Sequence, residues 1–370
     1  MKEEEYMMSQ NEMNIQSEDV SLFRAALAGK NKKRPPVWLM RQAGRYHSHY
    51  QNLKKRYTFM DLCKIPKVAM ETTMGPIRDF DFDAAILFSD LLFPLEVMGM
   101  GLRYDPGPKL DWHLKTVADV TRLKGGAEKA RELMFQAEAM ELIRGALPRE
   151  KGLLGFVGGP LTLFFYACEG SHQGALGNAR QGMLDGRYTA FFDELVELLI
   201  ENMVIQAEGG ADTVAILDTC AGEVDPATYR EIVVPSLRTV MVGFKERCPD
   251  TAVTYYSKKT RADHWGCLAD LPIACHGVDW NPSLTEALTY ANTRAPWGLQ
   301  GNFDPNLMLL PASEVEPLLH RFFQEAASLP DSYLDRWVCG LGHGVLQHTP
   351  EDNIRMFSRL QREYFGKRGQ

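Results

Sequence analysis

The chain has 370 residues, 45% of them hydrophobic and 24% charged, which is an ordinary globular composition. This length is sufficient for one large α/β domain or two smaller ones. A formal net charge of -7 argues against non-specific nucleic-acid binding, but it leaves a local cationic pocket open because net charge describes only the long-range field.

Residues 1–20 are polar and acidic and contain no apolar core, so we predict a flexible N-terminal arm rather than a secretory signal. No Pro/Gly/Ser-rich linker divides residues 21–370, which we expect to form one domain. No apolar run approaches the roughly 20 residues that a membrane-spanning helix needs. Seven scattered cysteines without a regular spacing predict free thiols in the reducing cytoplasm.

From residue 21 onward, short apolar segments alternate with longer amphipathic ones. A short helix is predicted at 21–28, and the longest helical patterns are at 191–207 and 314–327. Strands are predicted at eight places: 37–40, 84–88, 153–157, 213–217, 252–256, 275–279, 297–301 and 337–341. Eight such units predict a closed (β/α)₈ TIM barrel, with a doubly wound open sheet as the alternative. The chain has neither a GxGxxG fingerprint after its first strand nor a phosphate loop, which weakens the usual functions of that alternative.

The run MRQAGRY at 40–46 directly follows the first predicted strand, so Arg41 and Arg45 leave the end of that strand together. Arginine presents a planar fork of donors that suits carboxylates. The pair therefore suggests a site for a ligand with several acidic groups. Two arginines on a solvated turn are the alternative that spacing alone leaves open. The basic residues 32–34 before the strand are interpreted as a solvated segment, with steering of an anion as the other reading.

In a barrel, chemistry is located where the strands end. The other strand exits supply polar residues in every case: Ser89, Asp90, Thr162, Tyr166, Asp218, Thr219, Ser257, Lys258, Asp279, Asn302, Asp304 and His343. Each has a structural alternative. Asp90 and Thr219 suit helix caps, Tyr166 suits the core and His343 suits a glycine-rich loop, while the segment 302–305 is better interpreted as a turn with an N-cap.

Metal and hydrolase chemistry find little support in the sequence. There is no HExxH, no CxxC and no GxSxG elbow. A zinc site assembled from separate strands stays open, and its candidate ligands are Cys220, Cys275, His276, Cys339 and His343.

Taken together, these segments resemble the uroporphyrinogen decarboxylase family. The segment PVWLMRQAGRY at 36–46 is similar to the family signature, and the motifs at 89–90, 159–170, 278–280, 299–305 and 341–344 follow in the family's order. The likeness spans residues 20 to 365. It implies a (β/α)₈ barrel and a cytoplasmic homodimer that removes carbon dioxide from the four acetate side chains of uroporphyrinogen III, giving coproporphyrinogen III in haem biosynthesis. It also implies no cofactor, no metal and no nucleic-acid or membrane partner.

Carried over residue by residue, the resemblance implies substrate contacts at Arg41, Gln42, Ala43, Gly44, Arg45, Asp90, Tyr166, Thr219 and His343. The implied catalytic group is Asp90, Arg41, Tyr166 and His343. We expect Asp90 to accept the pyrrole N–H groups and to stabilise a cationic ring. Arg41 is expected to deliver or orient a proton, although its high pKa makes it a poor acid.

Two segments depart from the family's usual pattern. At 48–51 the chain has Ser-His-Tyr-Gln where the family commonly has Pro-Glu-Tyr/Phe-Arg, which removes a basic contact. At 218–222 it has Asp-Thr-Cys-Ala-Gly in place of Glu-Ser-His-Ala-Gly, so Thr219 keeps a hydroxyl but the adjacent histidine is lost. Two other functions stay open: a corrinoid-linked methyltransferase, whose His-x-Cys pair is absent at 256–258, and a tetrapyrrole-binding protein without turnover.

Overall fold

The computed structural model describes residues 21–369, so the predicted arm at 1–20 lies outside the described residues. The strands in chain order are β1 Ala84–Ile86, β2 Arg103–Tyr104, β3 Pro108–Lys109, β4 Gly152–Gly158, β5 Thr213–Asp218, β6 Ala252–Ser257, β7 Cys275–Val278, β8 Gly298–Phe303 and β9 Trp337–Leu341. The helices are α1 Leu22–Leu27, α2 Ser48–Lys54, α3 Phe59–Lys64, α4 Pro66–Phe80, α5 Phe93–Leu95, α6 Val117–Val120, α7 Met134–Ala146, α8 Pro160–Glu169, α9 Gly177–Gly182, α10 Arg187–Glu208, α11 Pro226–Thr228, α12 Val234–Arg247, α13 Ala262–Trp265, α14 Leu284–Thr293, α15 Ala312–Ala327 and α16 Glu351–Phe365. Short 3₁₀ and π-helical turns lie at Glu96–Met100, Ala127–Leu133, Ala221–Glu223, Tyr229–Val233, Gly266–Leu268, Leu307–Leu309 and Asp331–Arg336.

Seven strands form one parallel sheet in the order β1, β4, β5, β6, β7, β8, β9, which is chain order without a crossover. The remaining two strands, β2 and β3, form a separate antiparallel hairpin. Helices connect successive strands of the sheet, as the alternating pattern predicts. The parallel order places every carboxyl end at the same rim, and this positions the site.

The first predicted strand, at 37–40, is reduced in the structure to a single bridge. Val37 forms an isolated parallel bridge with Cys339 of β9. Hydrogen bonds reach both neighbours: Cys339 N–H donates to Pro36 O at 2.8 Å, and Asp83 N–H donates to Val37 O at 2.9 Å. The segment therefore occupies the eighth position and closes the barrel between β9 and β1. A longer ladder cannot form because Pro36 has no N–H, and the carboxylate of Asp83 rather than a strand accepts from Val37 N–H at 2.7 Å.

Side chains that alternate along the strands fill the barrel interior, as a period of two requires. The interior cluster is formed by Trp38, Met40, Ala84, Ile86, Leu154, Ala215, Leu217, Tyr256, Cys275 and Val338. Phe23 and Ala26 of α1 join this cluster and close the amino-terminal end of the barrel. The Ser21 hydroxyl caps α1 by accepting from Arg24 N–H at 3.0 Å, so the helix predicted at 21–28 is confirmed.

Charged residues at the amino-terminal end of the barrel are paired with one another. Asp83, which precedes β1, accepts both guanidinium arms of Arg34 at 2.7 Å. Asp212, which precedes β5, accepts from Arg24 at 2.7 Å and from Arg144 at 3.4 Å. The basic run 32–34 therefore lies at the end opposite the strand exits, so the reading that it steers an anion into the site is wrong.

Candidate active site

The strand exits bring the predicted catalytic residues to one mouth. The positive charge of Arg41 acts on the pKa of Asp90, of Tyr166 and of His343, which places these four side chains around one space. Thr219 follows β5 at the same rim and is half-buried. These residues were predicted as site residues from the sequence, and their roles in the site stay a prediction.

Arg41 lies in a tight turn closed by a 3.1 Å hydrogen bond from Gln42 N–H to Leu39 O. Its φ of 60° is in the left-handed region, which costs a residue other than glycine about 1–2 kcal/mol. Gly344 lets the Arg41 side chain pass, because a Cβ there would overlap Arg41 Cδ. Arg41 and Arg45 are both exposed, and within residues 21–369 no carboxylate lies at ion-pair distance from either.

The residues between the two arginines support them. Gln42 is 1% exposed, and its side-chain amide donates to Ala84 O at 3.0 Å, which ties the turn to β1. The Gln42 carbonyl accepts from the Tyr46 hydroxyl at 2.8 Å. Ala43 is buried and Gly44 is half-buried. The amide of Gln42 is therefore engaged with the backbone, and its part in the site is to hold the arginine turn.

Asp90 lies in the loop after β1, deep among protein atoms although half-exposed to solvent. Burial raises the pKa of its carboxyl above the usual range, against the opposing effects of the Tyr104 hydroxyl, the Leu92 N–H and the Arg41 charge. Leu92 N–H donates to Asp90 Oδ1 at 2.8 Å, so the cap-like alternative is also realised locally. The Tyr104 hydroxyl is buried and forms no hydrogen bond of normal geometry among the described residues, but it lies close enough to the carboxyl to lower the pKa of Asp90.

A buried polar chain anchors the loop that carries Asp90. Because the main chain leaves the sheet after β1, Phe156 of β4 has no strand beside it on the β1 side. The Gln206 side chain takes the place of a strand there: its oxygen accepts from Phe156 N–H at 2.7 Å, and its nitrogen donates to Phe156 O at 3.0 Å. Gln206 also donates to Gln136 at 3.1 Å, and Gln136 donates to the Ser89 hydroxyl at 2.9 Å. The residue preceding Asp90 is thereby fixed to the helical layer.

Tyr166 lies on α8 and is 9% exposed. Burial, followed by the negative charge of Asp90, raises the pKa of its phenol. Its hydroxyl lies 2.5 Å from Nδ1 of His172, a residue of the loop after α8. The Tyr166 hydroxyl therefore lies at the mouth and also contacts a second titratable side chain, His172.

Asp218 holds the start of α8 in place. Its Oδ1 accepts from Thr162 N–H at 3.1 Å and from the Thr162 hydroxyl at 2.6 Å, and its Oδ2 accepts from the Tyr255 hydroxyl at 3.1 Å. A side chain at Gly159 would overlap this carboxyl group, which explains the glycine at the helix start. Asp218 is fully buried, and burial raises the pKa of its carboxyl to about 6. The altered segment at 218–222 is therefore built as an anchor for the helix that carries Tyr166.

His343 follows β9 between two aromatic rings. Tyr256 stacks at 5.7 Å between ring centroids and Trp280 at 6.5 Å, and Nδ1 lies 3.4 Å from the Met40 sulfur. Burial lowers the pKa of His343 well below its usual value, and the positive charges of Arg41, Lys258 and His172 lower it further. In the ligand-free protein this imidazole is neutral, so the standing positive charge at the mouth belongs to the arginines.

Three residues of the mouth were not among the predicted site residues. They are Tyr104 on β2, His172 after α8 and Lys258 after β6. Lys258 Nζ lies 5.5 Å from the centre of the Trp280 ring, and burial together with neighbouring cations lowers its pKa. Its position after a strand was a usable signal. Tyr104 and His172 arrive on loops whose course the sequence does not fix.

The turn predicted at 302–305 is confirmed only from Asp304 onward, because Asn302 and Phe303 are the last residues of β8. The Asn302 amide donates to Asp279 O at 3.0 Å and to Pro282 O at 2.9 Å, and Asp304 accepts from Asn306 N–H at 2.8 Å. The carboxylate of Asp279 accepts from Lys259 N–H at 2.7 Å. These strand-end residues therefore order the loops around the mouth.

Across residues 21–369 there is no group of three or more His, Cys, Asp or Glu side chains arranged to hold a metal ion. All seven cysteines are free thiols. His276, one of the candidate zinc ligands, is bonded through Nε2 to the Ser257 hydroxyl at 2.8 Å, and burial lowers its pKa to about 3. Within the same range, no helix is both long enough and apolar enough to cross a bilayer.

Two concavities lie on the outer helical layer, away from the strand exits. One of about 520 Å³ is lined by Asp79, Phe80, Asp81, Arg355, Ser358, Arg359, Arg362 and Glu363. The other, of about 530 Å³, is bounded by residues of α12 and of the turn after α13. The first already pairs its charges internally, since Arg362 bonds Asp81 at 2.8 Å and Arg359 bonds Glu363 at 2.8 Å. The barrel mouth, with its unpaired arginines, is therefore the better candidate for an active site than either concavity.

Comparison with known proteins identifies the family and the fold of the chain. The model of the family "Uroporphyrinogen decarboxylase (URO-D)" matches residues 19–364. Uroporphyrinogen decarboxylase of Roseiflexus sp. (strain RS-1) is 32% identical over 93% of this chain and 98% of its own length, and that of Geobacter metallireducens is 32% identical over 90% and 95%. A methyltransferase from Methanosarcina mazei, 19% identical, shares the fold with a TM-score of 0.72 over 93% of this chain and 99% of its own. The chain described here belongs to the uroporphyrinogen decarboxylase family.

Proposed function

We propose that this protein removes carbon dioxide from the four acetate side chains of uroporphyrinogen III, giving coproporphyrinogen III. The observation that carries the proposal is the pair of exposed, unpaired cations Arg41 and Arg45 in the turn after the first segment, together with the carboxylate of Asp90, on whose pKa Arg41 acts. The substrate has the complementary arrangement, with eight carboxylates on its rim and pyrrole N–H groups at its centre.

The difficulty of this reaction is the electron pair that remains when carbon dioxide leaves. Protonation of a pyrrole carbon creates a cationic iminium beside the acetate, and this ring accepts the pair as the C–C bond breaks. The exocyclic double bond that results is protonated to a methyl group, which regenerates the pyrrole as a ring proton leaves. In sum, one proton replaces one carbon dioxide at each acetate.

In this scheme Asp90 accepts the inward-pointing pyrrole N–H groups and stabilises the ring cation. Ionisation is what that role requires, and the pyrrole donors favour it because they bond the charged form. The raised pKa in the ligand-free protein then marks a carboxylate that lacks its natural donors.

Arg41 is proposed to orient the reacting acetate and its proton source, since a guanidinium is a poor acid. Arg45 binds a second carboxylate. Tyr166, Thr219 and His343 are proposed to bind and orient further carboxylates through neutral donors. We also propose that residues 21–370 act as one domain and that the protein is a cytoplasmic homodimer. Light scattering on the purified chain tests the oligomeric state.

The test is incubation with uroporphyrinogen III under reducing conditions, followed by a count of the carboxyl groups lost. We expect a product that lacks four carboxyl groups. Binding of the tetrapyrrole without loss of carbon dioxide would identify the non-catalytic alternative and would refute the proposed activity. The Asp250→Asn protein, altered at an exposed turn, serves as a control that must match the wild type.

A further inference from the structure

His172 is a titratable side chain at the mouth that the proposed mechanism does not use. Its Nδ1 lies 2.5 Å from the Tyr166 hydroxyl, and the two ring centroids are 5.5 Å apart. Its Nε2 has one weak polar neighbour among the described residues, the Gln173 amide at 3.4 Å. His172 itself is half-buried.

The charged surroundings of His172 come from four different elements. Arg41 approaches from the turn after the first segment, Lys258 and Lys259 from the loop after β6, and Glu223 from the turn after β5, while the neutral His343 faces it from beyond β9. Glu223 is already engaged, since it bonds Lys259 at 2.7 Å and Arg180 at 2.9 Å. The field at His172 is therefore positive, and burial and these cations lower its pKa, so the imidazole is neutral in the ligand-free protein.

The hydrogen bond between the two rings has two directions with different consequences. With a neutral imidazole that accepts at Nδ1, the Tyr166 hydroxyl donates its only proton to His172 and can offer a ligand only lone pairs. With an imidazolium, Nδ1–H donates to the Tyr166 oxygen, and the hydroxyl proton is free for a carboxylate. A neutral imidazole with its proton on Nδ1 donates in the same way but brings no charge, so a carboxylate that docks on Tyr166 requires a proton on Nδ1 and is attracted most strongly by the imidazolium.

We propose that His172 is a further substrate-binding residue, and that the Tyr166–His172 pair takes up one proton from solvent when a substrate carboxylate docks on it. This inference rests on the proposed function, because a polycarboxylate tetrapyrrole is the ligand that supplies the negative charge. No bond of the substrate changes in this step: the imidazole gains a proton, and the Tyr166 hydroxyl turns from histidine to ligand. His172 would thus contribute recognition of a carboxylate and not chemistry at the ring.

The inference predicts a particular pH dependence of substrate binding. The KM of the wild type for uroporphyrinogen III should rise with pH above neutrality, by as much as tenfold per unit, because the proton to be taken up becomes scarcer. The His172→Asn protein keeps a donor to Tyr166 but cannot titrate. We expect its KM at pH 7 to be raised roughly tenfold and its pH dependence to be flatter, with kcat within about threefold of the wild type. The His348→Asn protein, altered at an exposed histidine, should retain the wild-type profile.

The closing experiment records the imidazole nitrogen signals of ¹⁵N-histidine-labelled protein at pH 7.5 with and without coproporphyrinogen III, with His172 assigned through the His172→Asn protein. The expected result is a neutral ring without ligand and an imidazolium with it. If the wild type turns over substrate but His172 stays neutral in the complex, or if His172→Asn has the wild-type KM profile, the inference is overturned while the proposed function stands. If the wild type neither binds nor converts the tetrapyrrole, the proposed function fails and the inference fails with it.

Discussion

The two ends of the barrel treat charge in opposite ways. At the amino-terminal end, aspartates that precede the strands are paired with basic residues, as in Asp83 with Arg34 and Asp212 with Arg24. At the mouth, Arg41, Arg45 and Lys258 have no carboxylate at ion-pair distance among residues 21–369. The buried carboxylate of Asp83 would be costly without its partner, whereas Arg41 and Arg45 are exposed and can stay solvated until an anionic ligand binds. The difference indicates that the ion pairs at the amino-terminal end stabilise the barrel, whereas the cations at the mouth are available to bind an anion.

The largest effect should come from Asp90, the carboxylate on whose pKa the unpaired Arg41 acts. Asp90→Asn keeps the shape but removes the charge that would stabilise the ring cation, so we expect kcat to fall by roughly 10²–10³-fold, or about 3–4 kcal/mol. The substrate Kd should change much less, because the carboxylate contacts remain. Single-turnover kinetics and equilibrium binding separate the two quantities. Near-normal turnover by a variant that binds substrate would show that Asp90 does not have this role.

Substitution of one arginine at each end of the barrel tests the difference between the two ends directly. Arg34→Ala leaves the buried Asp83 without its partner and should lower the free energy of unfolding by about 3 kcal/mol, with KM nearly unchanged. Arg41→Ala removes an exposed cation and should leave stability within about 0.5 kcal/mol, while KM rises roughly 10–100-fold. Urea unfolding and steady-state kinetics on both variants test this. A reversal of the two phenotypes would contradict the division of roles between the ends.

Asp218 offers a test through pH. Its carboxyl has a folded pKa of about 6, above the usual unfolded value near 3.9. The native state therefore keeps this proton longer, so the stability that the group contributes is complete below pH ~4 and is lost as pH rises through 6. Asp218→Asn cannot titrate, and its amide can still accept from Thr162 and donate to Tyr255. We expect the wild type to lose about 2–3 kcal/mol relative to this variant between pH 4 and pH 7.5.

The same unfolding measurements on Asp250→Asn provide the control for substitution of an exposed aspartate. If the difference in the free energy of unfolding between the wild type and Asp218→Asn were constant with pH, Asp218 would be ionised throughout. The raised pKa of its carboxyl would then be wrong.

The smallest expected effect concerns position rather than charge. Gly344→Ala introduces a Cβ into the space of the Arg41 side chain, which is flexible and can move away. Stability should change by less than about 1 kcal/mol, whereas KM for the tetrapyrrole should rise several-fold because the guanidinium is displaced. Steady-state kinetics suffice, and an unchanged KM would show that the exact course of Arg41 over Gly344 is unimportant.

Much of the fold could be predicted because buried parallel strands are short apolar runs between helices. Seven of the eight predicted strands are regular strands, and the parallel order follows from the alternation. The first was misjudged because its length depends on which backbone N–H groups are available, and Pro36 with the Asp83 side chain limits the pairing. These details lie in tertiary contacts between residues that are 46 positions apart.

The site was predictable only where it follows strand exits. Arg41, Asp90, Tyr166 and His343 were predicted in this way, and the charge of Arg41 acts on the pKa of the other three, although their roles stay a prediction. Tyr104 and His172 were missed because their loops are placed by packing over the mouth, which no local pattern encodes. Gln42 is the opposite case. It belongs to the signature segment and was predicted to contact the substrate, but its side-chain amide donates to a backbone carbonyl of β1.

The most direct test is a crystal structure of the Asp90→Asn protein with uroporphyrinogen III bound under anaerobic conditions, because slow turnover preserves the substrate. We expect the macrocycle at the barrel mouth, with its ring nitrogens facing residue 90 and its carboxylates on Arg41 and Arg45. A tetrapyrrole bound elsewhere, such as the outer concavity lined by Arg355 and Arg359, with Arg41 and Arg45 free of carboxylates, would contradict it.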